Sequence, residues 1–566
     1  MATKTMQLVA DLETTTDPKD VRAWAVSAVD IPTQETVFLS NSLPEFMKWL
    51  ENKNTIVYFH NARFDLEFVL PYLFWNGYKH ISEVQPKPKD GKRRAGVPGT
   101  FDTLITDDGI VYSLTVYFSQ KKKKWNKVVF YDSLKKLPFK VSQIAKAFQL
   151  EDQKLEIDYD AYRPKGHELT EKEKNYVVTD ARIVASALNI QFSKSLTKMT
   201  NASDAMAWYK DSLRGQFERY YPVLPLDIDK EIRRTYKGGY VYLNPKYRGV
   251  RGLQGITFDV NSLYPSVMYQ KLLPYGYPKH FEGEYEPDEN YPLYIVKLRC
   301  SFKVKKGHLP TLQLKNHRSH FVETEYITTS KGAIVEFSLT SVDLKLFLDH
   351  YDVLNLEYIN GYKFKGAHDL FKEYIDYWMH IKETETGSIK QLAKLMLNSL
   401  YGRFCLNPET RQKIPYMDTD NVVRYKLDDP ELRDPVYTAM GSFITSYARE
   451  KTIRTAQSLG DRFIYADTDS CHIVGYEVPE DMDIHPTRLG AWKNEGLFTD
   501  SMFIRAKTYM ETVDGKNKVT CAGMPDNIKE LVTYDNFHPG STFDGKLMPR
   551  RFPGGIVLMP TTFTIK

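Results

Sequence analysis

Cysteines are scarce in this sequence and lie far apart. Its 566 residues include four of them: Cys300, Cys405, Cys471 and Cys521, with no C-x-x-C pair. This spacing indicates neither a zinc module nor a disulfide framework. We therefore expect the protein to be located in a reducing cytoplasm.

Long hydrophobic runs and a strong charge excess are also missing. No apolar stretch approaches the roughly 20 residues of a membrane span, and the N-terminus has no signal-peptide core. We therefore expect no membrane association. The net charge is only +5, from 77 Lys and Arg against 72 Asp and Glu, so binding of a polyanion would depend on local clusters. Such clusters occur at Lys87, Lys89, Lys92, Arg93 and Arg94 and at 121–124. Two interpretations of them remain open: a solvated surface, or contact with phosphates.

The remaining composition is that of a soluble enzyme with several domains. Hydrophobic residues make up 42% and charged residues 26%, and the length is too great for one core. Strands and helices alternate up to about residue 200, which predicts a mixed α/β domain. Further patterns predict a helical pair at 370–404, a strand–turn–strand at 462–474 and a C-terminal β-hairpin.

Acidic residues recur in suitable local contexts in the N-terminal third. Asp11 and Glu13 share one face of a strand, Asp65 begins a helix, and Tyr176 and Asp180 share one helix face. Each acid alone is more often a surface residue. Together they predict a site for Mg²⁺, which prefers oxygen ligands and in pairs supports phosphodiester hydrolysis.

A second acidic set lies in the C-terminal half. Asp259 ends an apolar strand, and Asp467 and Asp469 flank a tight turn. These carboxylates can bracket two metal ions on a triphosphate, as phosphoryl transfer requires. Between them, helical spacing places Lys390, Lys394, Asn398 and Tyr401 on one face. An ordinary amphipathic helix is the alternative, but its NSLYG ending beside the acidic motifs favours triphosphate binding.

Six of these motifs resemble those of family-B DNA polymerases. FDVNSLYP, KLMLNSLYG and YADTDS resemble the polymerase motifs, and DLE, NARFD and YVVTD resemble the exonuclease motifs. YKGG, YDSLKKLPF, TSYAR and KTY are similar to the protein-primed branch of that family. The motifs occur in the family's order over essentially the whole chain.

The resemblance implies an α/β multi-domain fold, with a ribonuclease-H-like 3′→5′ exonuclease domain before a right-hand polymerase domain. The implied boundaries are exonuclease 1–200, palm 201–270 and 439–533, a first insertion 271–368 that contacts a terminal protein, fingers 369–404, a second insertion 405–438 for strand displacement and processivity, and thumb 534–566.

Site residues of the exonuclease follow from the same resemblance. The implied metal ligands are Asp11, Glu13, Asp65 and Asp180, with Glu156 where the family has Asp; Tyr176 and Lys154 assist; and His60, Asn61, Phe64, Phe68, Ser133 and Leu134 hold single-stranded DNA.

The polymerase residues are implied in the same way. The metal ligands are Asp259, the Val260 carbonyl, Asp467 and Asp469; the nucleotide contacts are Tyr264, Lys382, Lys390, Lys394, Asn398 and Tyr401; and the DNA contacts are Tyr236, Gly238, Gly239, Ser262, Thr445, Arg449, Lys507 and Tyr509. Tyr264 would reject a ribose 2′-OH, the group that distinguishes RNA.

The resemblance also implies cofactor and partners. We expect two Mg²⁺ ions per site, which Mn²⁺ can replace, and binding of template, primer strand, deoxynucleoside triphosphates and a terminal protein. The enzyme would act as a monomer, or as a heterodimer with that protein, in the cytoplasm of an infected bacterium. The alternatives are a nucleic-acid-primed, distributive family-B polymerase, and a nuclease or single-strand binding protein with a decayed polymerase half. Intact Asp259, Asp467, Asp469 and Lys394 argue against the latter.

Overall fold

The computed structural model describes residues 5–86, 94–121, 124–313 and 326–566. Most of the first predicted basic cluster (Lys87, Lys89, Lys92 and Arg93) lies outside these residues, as do Lys122 and Lys123. Within the described ranges, no helix is long and apolar enough to cross a membrane.

The N-terminal region is a mixed α/β unit, as predicted. Its strands are β1 (Met6–Thr14), β2 (Ala23–Asp30), β3 (Thr36–Ser40), β4 (Thr55–Phe59), β5 (Lys79–His80), β6 (Thr100–Ile105), β7 (Val111–Lys121) and β8 (Lys124–Asp132), and its helices are α1 (Leu43–Leu50), α2 (Ala62–Trp75), α3 (Val141–Ala147) and α4 (Glu171–Ser193).

These strands form one sheet in the order β3-β2-β1-β4-β8-β7-β6-β5, with β1 antiparallel to β2 and parallel to β4. Side chains alternate along β1: Leu8 and Leu12 join the core under α1 and α2, whereas Val9 joins the core under α3 and α4. Odd-numbered positions of β1 therefore face α4.

The next segment leads into the polymerase half through short helices. Its elements are α5 (Asn201–Ser212), α6 (Phe217–Tyr220), α7 (Leu226–Arg233), β9 (Val241–Leu243), β10 (Gly255–Val260) and α8 (Leu263–Gln270). The predicted strand GITFDV is β10.

The region predicted as the first insertion is an antiparallel sheet with one helix against it. Its elements are β11 (Leu273–Glu282), β12 (Leu293–Val304), β13 (Val335–Thr340), α9 (Ser341–His350) and β14 (Tyr351–Ala367), in the sheet order β11-β14-β12-β13. The predicted helical pair follows as α10 (Lys372–Thr384) and α11 (Gly387–Ser399).

Two small two-stranded sheets fill the region predicted as the second insertion. They are formed by β15 (Glu409–Thr410) with β18 (Glu431–Leu432) and by β16 (Lys413–Met417) with β17 (Val423–Leu427). The β16–β17 hairpin packs on β5, β6 and α2 of the N-terminal region.

The remaining chain completes the polymerase core. It contains α12 (Thr438–Ser458), β19 (Phe463–Asp467), β20 (Ser470–Val474), β21 (Trp492–Phe498), β22 (Asp500–Arg505), β23 (Thr508–Val513), β24 (Lys516–Cys521), α13 (Asp526–Lys529), β25 (Thr542–Phe552) and β26 (Gly555–Thr564). One sheet has the order β21-β10-β20-β19-β9, a second has β22-β23-β24, and β25 and β26 form the predicted C-terminal hairpin.

Candidate active sites

Four acidic side chains from β1, α2 and α4 come together in the N-terminal region. Asp11 and Glu13 lie on the face of β1 that α4 covers, because the intervening Leu12 is buried on the opposite face. Asp180 is buried on α4, and Asp65 is buried in the first turn of α2. The three separate acidic motifs of the sequence therefore meet in space.

Electrostatic strain marks this cluster. Burial raises the pKa of Asp11 well above its usual range, and the charges of Glu13, Asp65 and Asp180 raise it further. Burial and the Asp180 charge likewise raise the pKa of Glu13 to about 7. Lys154 acts in the opposite direction on both groups, yet it does not offset the excess negative charge.

Lys154 and two tyrosines line the same cluster. The Lys154 ammonium donates to Tyr176 Oη at 3.0 Å and to the carboxylate of Asp180, and it lies 5.0 Å from the centre of the Tyr176 ring. The hydroxyl oxygens of Tyr159 and Tyr176 are 2.5 Å apart. Lys154 and Tyr176 thus contact the acidic cluster directly.

The donor set of this cluster fits a divalent cation. Asp180 Oδ1 is buried and has no hydrogen-bond partner among the described residues, and buried carboxylates are costly unless a positive group pairs with them. Among the described residues, no group of three or more His, Cys, Asp or Glu side chains is arranged closely enough to hold a metal ion as it stands. The fit therefore rests on an all-oxygen, negatively charged set, the chemistry that Mg²⁺ prefers.

Glu156 does not join the other acids. It is exposed in an irregular segment after Lys154, and no described contact connects it to the cluster. Its neighbour Leu155 is also exposed. Outside a strand, a spacing of two residues does not keep the side chains of Lys154 and Glu156 on one face, which explains their different surroundings. The metal contact of Glu156 stays a prediction.

The residues predicted to hold single-stranded DNA divide into an outer and an inner group. Asn61 is exposed and Phe64 and Leu134 are half-buried, whereas Phe68 and Ser133 are buried. Ser133 Oγ donates to the carbonyl of Phe59 at 3.0 Å. Ser133 therefore lies in the interior and supports the outer group from behind.

His60 and Asp132 organise this surface from within. The His60 ring binds Ser133 Oγ at 2.9 Å and the Phe139 carbonyl at 2.7 Å, and burial lowers its pKa. Asp132 is buried, and its Oδ1 accepts from the amides of Asn61 at 3.1 Å and Leu134 at 3.0 Å. Asp132 was not identified from the sequence, although it is the N-cap residue of the short 3-10 helix Ser133–Lys135.

The second acidic set lies at one end of the sheet containing β10, β19 and β20. Asp259 on β10 lies opposite Ser470 on β20, and Asp467 on β19 lies opposite the same serine. The amide of Val260 donates to the carbonyl of Asp469 at 2.8 Å. The two distant segments are thereby held side by side, and the three predicted carboxylates share one edge.

The carboxylates at this edge also repel one another. Burial raises the pKa of Asp259 to about 7, and the charges of Asp469 and Glu495 contribute. Burial and the charge of Asp467 raise the pKa of Asp469. These all-oxygen donors therefore fit a divalent cation by the same reasoning as the N-terminal cluster.

Lys507 is tied to this edge. Its ammonium lies 3.0 Å and 2.9 Å from the two Asp467 carboxylate oxygens, and its amide donates to Tyr465 Oη at 2.9 Å. Lys507 has a left-handed backbone with φ of 56°. The half-buried Tyr509 ring stacks on Phe503 at 5.1 Å.

Three lysines of the α10–α11 pair form a positive cluster near this edge. Burial lowers the pKa of Lys382, as do the charges of Lys394 and Lys390. Lys382 donates to Ser262 Oγ at 2.8 Å, just beyond β10. Lys394 and Asn398 are exposed along α11, whereas Leu392, Met396, Leu397 and Leu400 are buried, as the predicted amphipathic pattern requires.

Tyr264 and Tyr401 stack on each other near the acidic edge, close enough that the Asp469 charge acts on both hydroxyls. Their ring centres are 4.2 Å apart with an interplanar angle of 23°. Tyr264 is in the first turn of α8 and Tyr401 follows α11. Residues that the sequence places 137 positions apart (401 − 264) therefore form one aromatic wall.

The YKGG turn packs directly against the acidic turn. A Cβ added to Gly239 would lie 2.5 Å from Thr468 Oγ1, so a larger residue does not fit there. Gly238 is exposed and Tyr236 is half-buried. Glycine at position 239 thus permits the close approach of the two turns.

Arg449 and Thr445 do not reach the surface. Arg449 is 2% exposed, and its guanidinium donates to the carbonyls of Lys237 at 3.0 Å and Gly238 at 2.8 Å and to Asp343 at 2.6 Å. Thr445 is also buried and donates to the Gly441 carbonyl at 3.0 Å. Arg449 thus holds the YKGG turn in place, whereas the Thr445 hydroxyl bonds within α12. The DNA contacts of both residues stay predictions.

Known proteins are similar to this chain in sequence and fold over nearly its full length. Residues 47–485 match the family described as DNA polymerase type B, organellar and viral. The DNA polymerase of Bacillus phage B103 is 44% identical over 98% of this chain and 99% of its own length. The DNA polymerase of Streptococcus phage Cp-1 is 32% identical over 99% of both chains.

A solved structure of phi29 DNA polymerase, complexed with primer-template DNA and incoming nucleotide substrates, is 42% identical and covers 100% of both chains with a TM-score of 0.92. This similarity confirms the predicted fold class of a multi-domain family-B enzyme. The chain belongs to the organellar and viral type B family of DNA polymerases, among the phi29-like phage enzymes.

Proposed function

We propose that this protein is a replicative, template-directed DNA polymerase that proofreads with a separate 3′→5′ exonuclease site. The observation that carries the proposal is the edge that Asp259, Asp467 and Asp469 share. The lysine cluster of α10 and α11 lies near this edge, because Lys382 donates to Ser262 just beyond β10. Acids that hold metal ions and cations that bind a triphosphate are the two requirements of nucleotidyl transfer.

In the polymerase site, Asp259, Asp469 and the Val260 carbonyl would hold two Mg²⁺ ions, with Asp467 beside them, and Mn²⁺ can replace Mg²⁺. When bound, such ions activate the primer 3′-hydroxyl and neutralise the charge of the leaving pyrophosphate. A bound cation stabilises the ionised form of carboxylates whose pKa values are raised by burial and by neighbouring negative charges. This supports metal binding at the edge.

The chain's own groups supply the rest of the polymerase reaction. Lys382, Lys390 and Lys394 bind the triphosphate, and Asn398 lies beside them. Tyr401 packs on the nascent base pair, and Tyr264 blocks a 2′-hydroxyl. Lys507 and Tyr509 position the primer strand, while Tyr236, Gly238, Gly239 and Ser262 shape its path. Preorganised cations of this kind stabilise charge that develops in the transition state.

In the exonuclease site, Asp11, Glu13, Asp65 and Asp180 would hold Mg²⁺ ions that support hydrolysis of the primer end. Tyr176 orients the attacking water, and Lys154 holds Tyr176 and Asp180 in position through its contacts with both. Asn61, Phe64 and Leu134 hold the single strand, supported from behind by His60, Phe68 and Ser133.

The relatives support finer features of this proposal. Because the chain aligns end to end with phage DNA polymerases, we infer protein priming from a terminal protein, with strand displacement and processive synthesis on DNA. The substrates are deoxynucleoside triphosphates, and the active form is a monomer or a heterodimer with the terminal protein.

Extension of a labelled primer on a long single-stranded circle tests the proposal. With Mg²⁺, four deoxynucleotides and neither clamp nor helicase, we expect products far longer than one circle. Short products would favour the distributive, nucleic-acid-primed alternative. Degradation without extension would overturn the polymerase assignment and leave only the nuclease.

A further inference from the structure

A polar contact lies directly beneath the acidic edge of the polymerase site. Thr257 on β10 pairs with His472 on β20, next to the pairing of Asp259 with Ser470 along the same ladder. Side chains two positions apart on a strand share a face, so Thr257 and His472 lie on the face that carries Asp259. Any group that holds both of them also holds the two strands in register.

Glu511, on β23 of the neighbouring sheet, reaches both residues. Its Oε1 lies 2.8 Å from His472 Nδ1 and accepts from Thr257 Oγ1 at 3.4 Å, and the Thr257 hydroxyl lies 3.1 Å from the same ring nitrogen. Glu511 is 6% exposed and His472 is 2% exposed. A carboxylate this deeply buried is tolerated only with such partners, so the contact holds the sheets firmly together.

The same contact extends to the segment proposed to hold the primer. The His472 ring packs against Tyr465 at 5.5 Å and Tyr509 at 5.1 Å. Tyr465 Oη donates to Asp467 at 3.3 Å and accepts from the Lys507 amide at 2.9 Å. A displaced His472 ring would therefore disturb both the acidic edge and the KTY segment.

We propose that Glu511 is a positioning residue of the polymerase site. By holding His472 and Thr257, it fixes the distance between the acidic edge and the primer-holding segment at 507–509. The proposal rests on the assignment of Asp259 as a metal ligand. Misplacement of reacting groups by about 1 Å can cost on the order of 100-fold in rate, and we expect part of that loss when Glu511 is removed.

The test compares Glu511→Leu with Glu511→Gln in single-nucleotide incorporation. Leucine removes the acceptor, and we expect kcat to fall on the order of 10-fold, with the KM for the nucleotide little changed. Glutamine keeps an oxygen toward His472 and should retain most of the rate. Thr257→Val, which removes only a hydroxyl, should give a smaller loss of kcat in the same direction. Degradation of single-stranded DNA should stay at the wild-type rate in all three variants.

Thr512→Val is the matched control. Thr512 neighbours Glu511 on β23, but its hydroxyl binds Tyr534 Oη at 3.0 Å and does not contact His472. A fall in kcat for Glu511→Leu but not for Thr512→Val supports the proposal. Wild-type kcat in Glu511→Leu and Thr257→Val, equal losses in Glu511→Leu and Thr512→Val, or joint loss of polymerase and exonuclease activity would overturn it. If Asp259→Ala retained synthesis, the assignment of the site itself would fail instead.

Discussion

Arg551 of the C-terminal hairpin holds Glu67 of α2 in a bidentate ion pair. Arg551 Nε lies 3.0 Å from Glu67 Oε2 and Nη2 lies 2.7 Å from Oε1. Tyr425 of β17 donates to the same carboxylate at 3.1 Å, and its ring lies 4.8 Å from the guanidinium. Glu67 therefore joins the N-terminal region, the β16–β17 hairpin and the C-terminal hairpin.

Replacing Arg551 should loosen this three-way contact. The Glu67 side chain is only 5% exposed, so Arg551→Gln leaves a buried carboxylate without its main partner. We expect the free energy of unfolding to fall by about 2 kcal/mol, less than for a fully enclosed pair because Arg551 is partly exposed. If the three segments surround DNA, the length of the products made in one binding event should also fall. This length is measured with excess unlabelled template as a trap for released enzyme.

A double variant separates the pair from its surroundings. Arg551→Gln combined with Glu67→Gln removes both charges and should be more stable than Arg551→Gln alone, since no unpaired buried charge remains. Arg550→Gln, on the exposed side of the same hairpin, is the control for loss of positive charge. If the effects of Arg551→Gln and Glu67→Gln on the free energy of unfolding simply add in the double variant, the two residues are not coupled.

The acidic edge can be tested apart from the nuclease. Asp259→Ala or Asp469→Ala should reduce nucleotide incorporation by on the order of 1,000-fold, because the charge of the transition state loses its metal-mediated stabilisation. Degradation of single-stranded DNA should remain near normal. Asp461→Ala, at a side chain 90% exposed, is the matched control, and loss of both activities would indicate misfolding.

The N-terminal acids should show the reverse pattern. Asp11→Ala with Glu13→Ala should abolish single-strand degradation and leave primer extension intact. Because burial, together with repulsion within the cluster, raises the pKa values of both acids, a bound cation should stabilise the cluster. Mg²⁺ should therefore raise the melting temperature of the wild type more than that of the double variant. Retained degradation, or an equal Mg²⁺ effect, would contradict the ligand assignment.

Local patterns in the sequence predicted what depends on local geometry. The shared face of Asp11 and Glu13 on β1 follows from the two-residue period of a strand, and the two faces of α11 follow from the helical period. The order of the motifs then indicated the fold class. These three predictions, the shared face of Asp11 and Glu13, the two faces of α11 and the fold class, are confirmed. Neighbouring residues and the family pattern are sufficient for them.

Partners distant in sequence were not predictable in this way. A motif gives Arg449 a residue type but not its burial, which depends on Asp343 and on the carbonyl of Gly238 in other elements. Glu67 and Arg551 are 484 positions apart, and periodicity carries no information about such pairs. The exposure of Glu156 likewise depends on an irregular segment that has no regular period.

Glu173, in the first turn of α4, should make a pH-dependent contribution to the stability of this helix, which also carries Tyr176 and Asp180 of the proposed exonuclease site. Burial alone would raise its pKa, but hydrogen bonds from Arg163, His167 and Thr170 outweigh burial and lower the pKa to about 2 from an ordinary value of 4.5. The folded pKa lies below the unfolded one, so the ionised group stabilises the fold fully above about pH 4.5. That contribution disappears as the pH falls toward 2.

Glu173→Gln should therefore unfold more easily than the wild type in urea near pH 7, and the difference should shrink as the pH falls from about 4.5 toward 2. The neighbouring Glu171 is the control, because 83% of its side chain is exposed and Glu171→Gln should give little difference at either pH. A gap for Glu173→Gln that stays constant down to low pH would mean that packing, and not the ionised carboxylate, stabilises this end of α4. Since α4 carries Tyr176 and Asp180, the same variant should lose exonuclease activity at lower urea concentration than the wild type near pH 7.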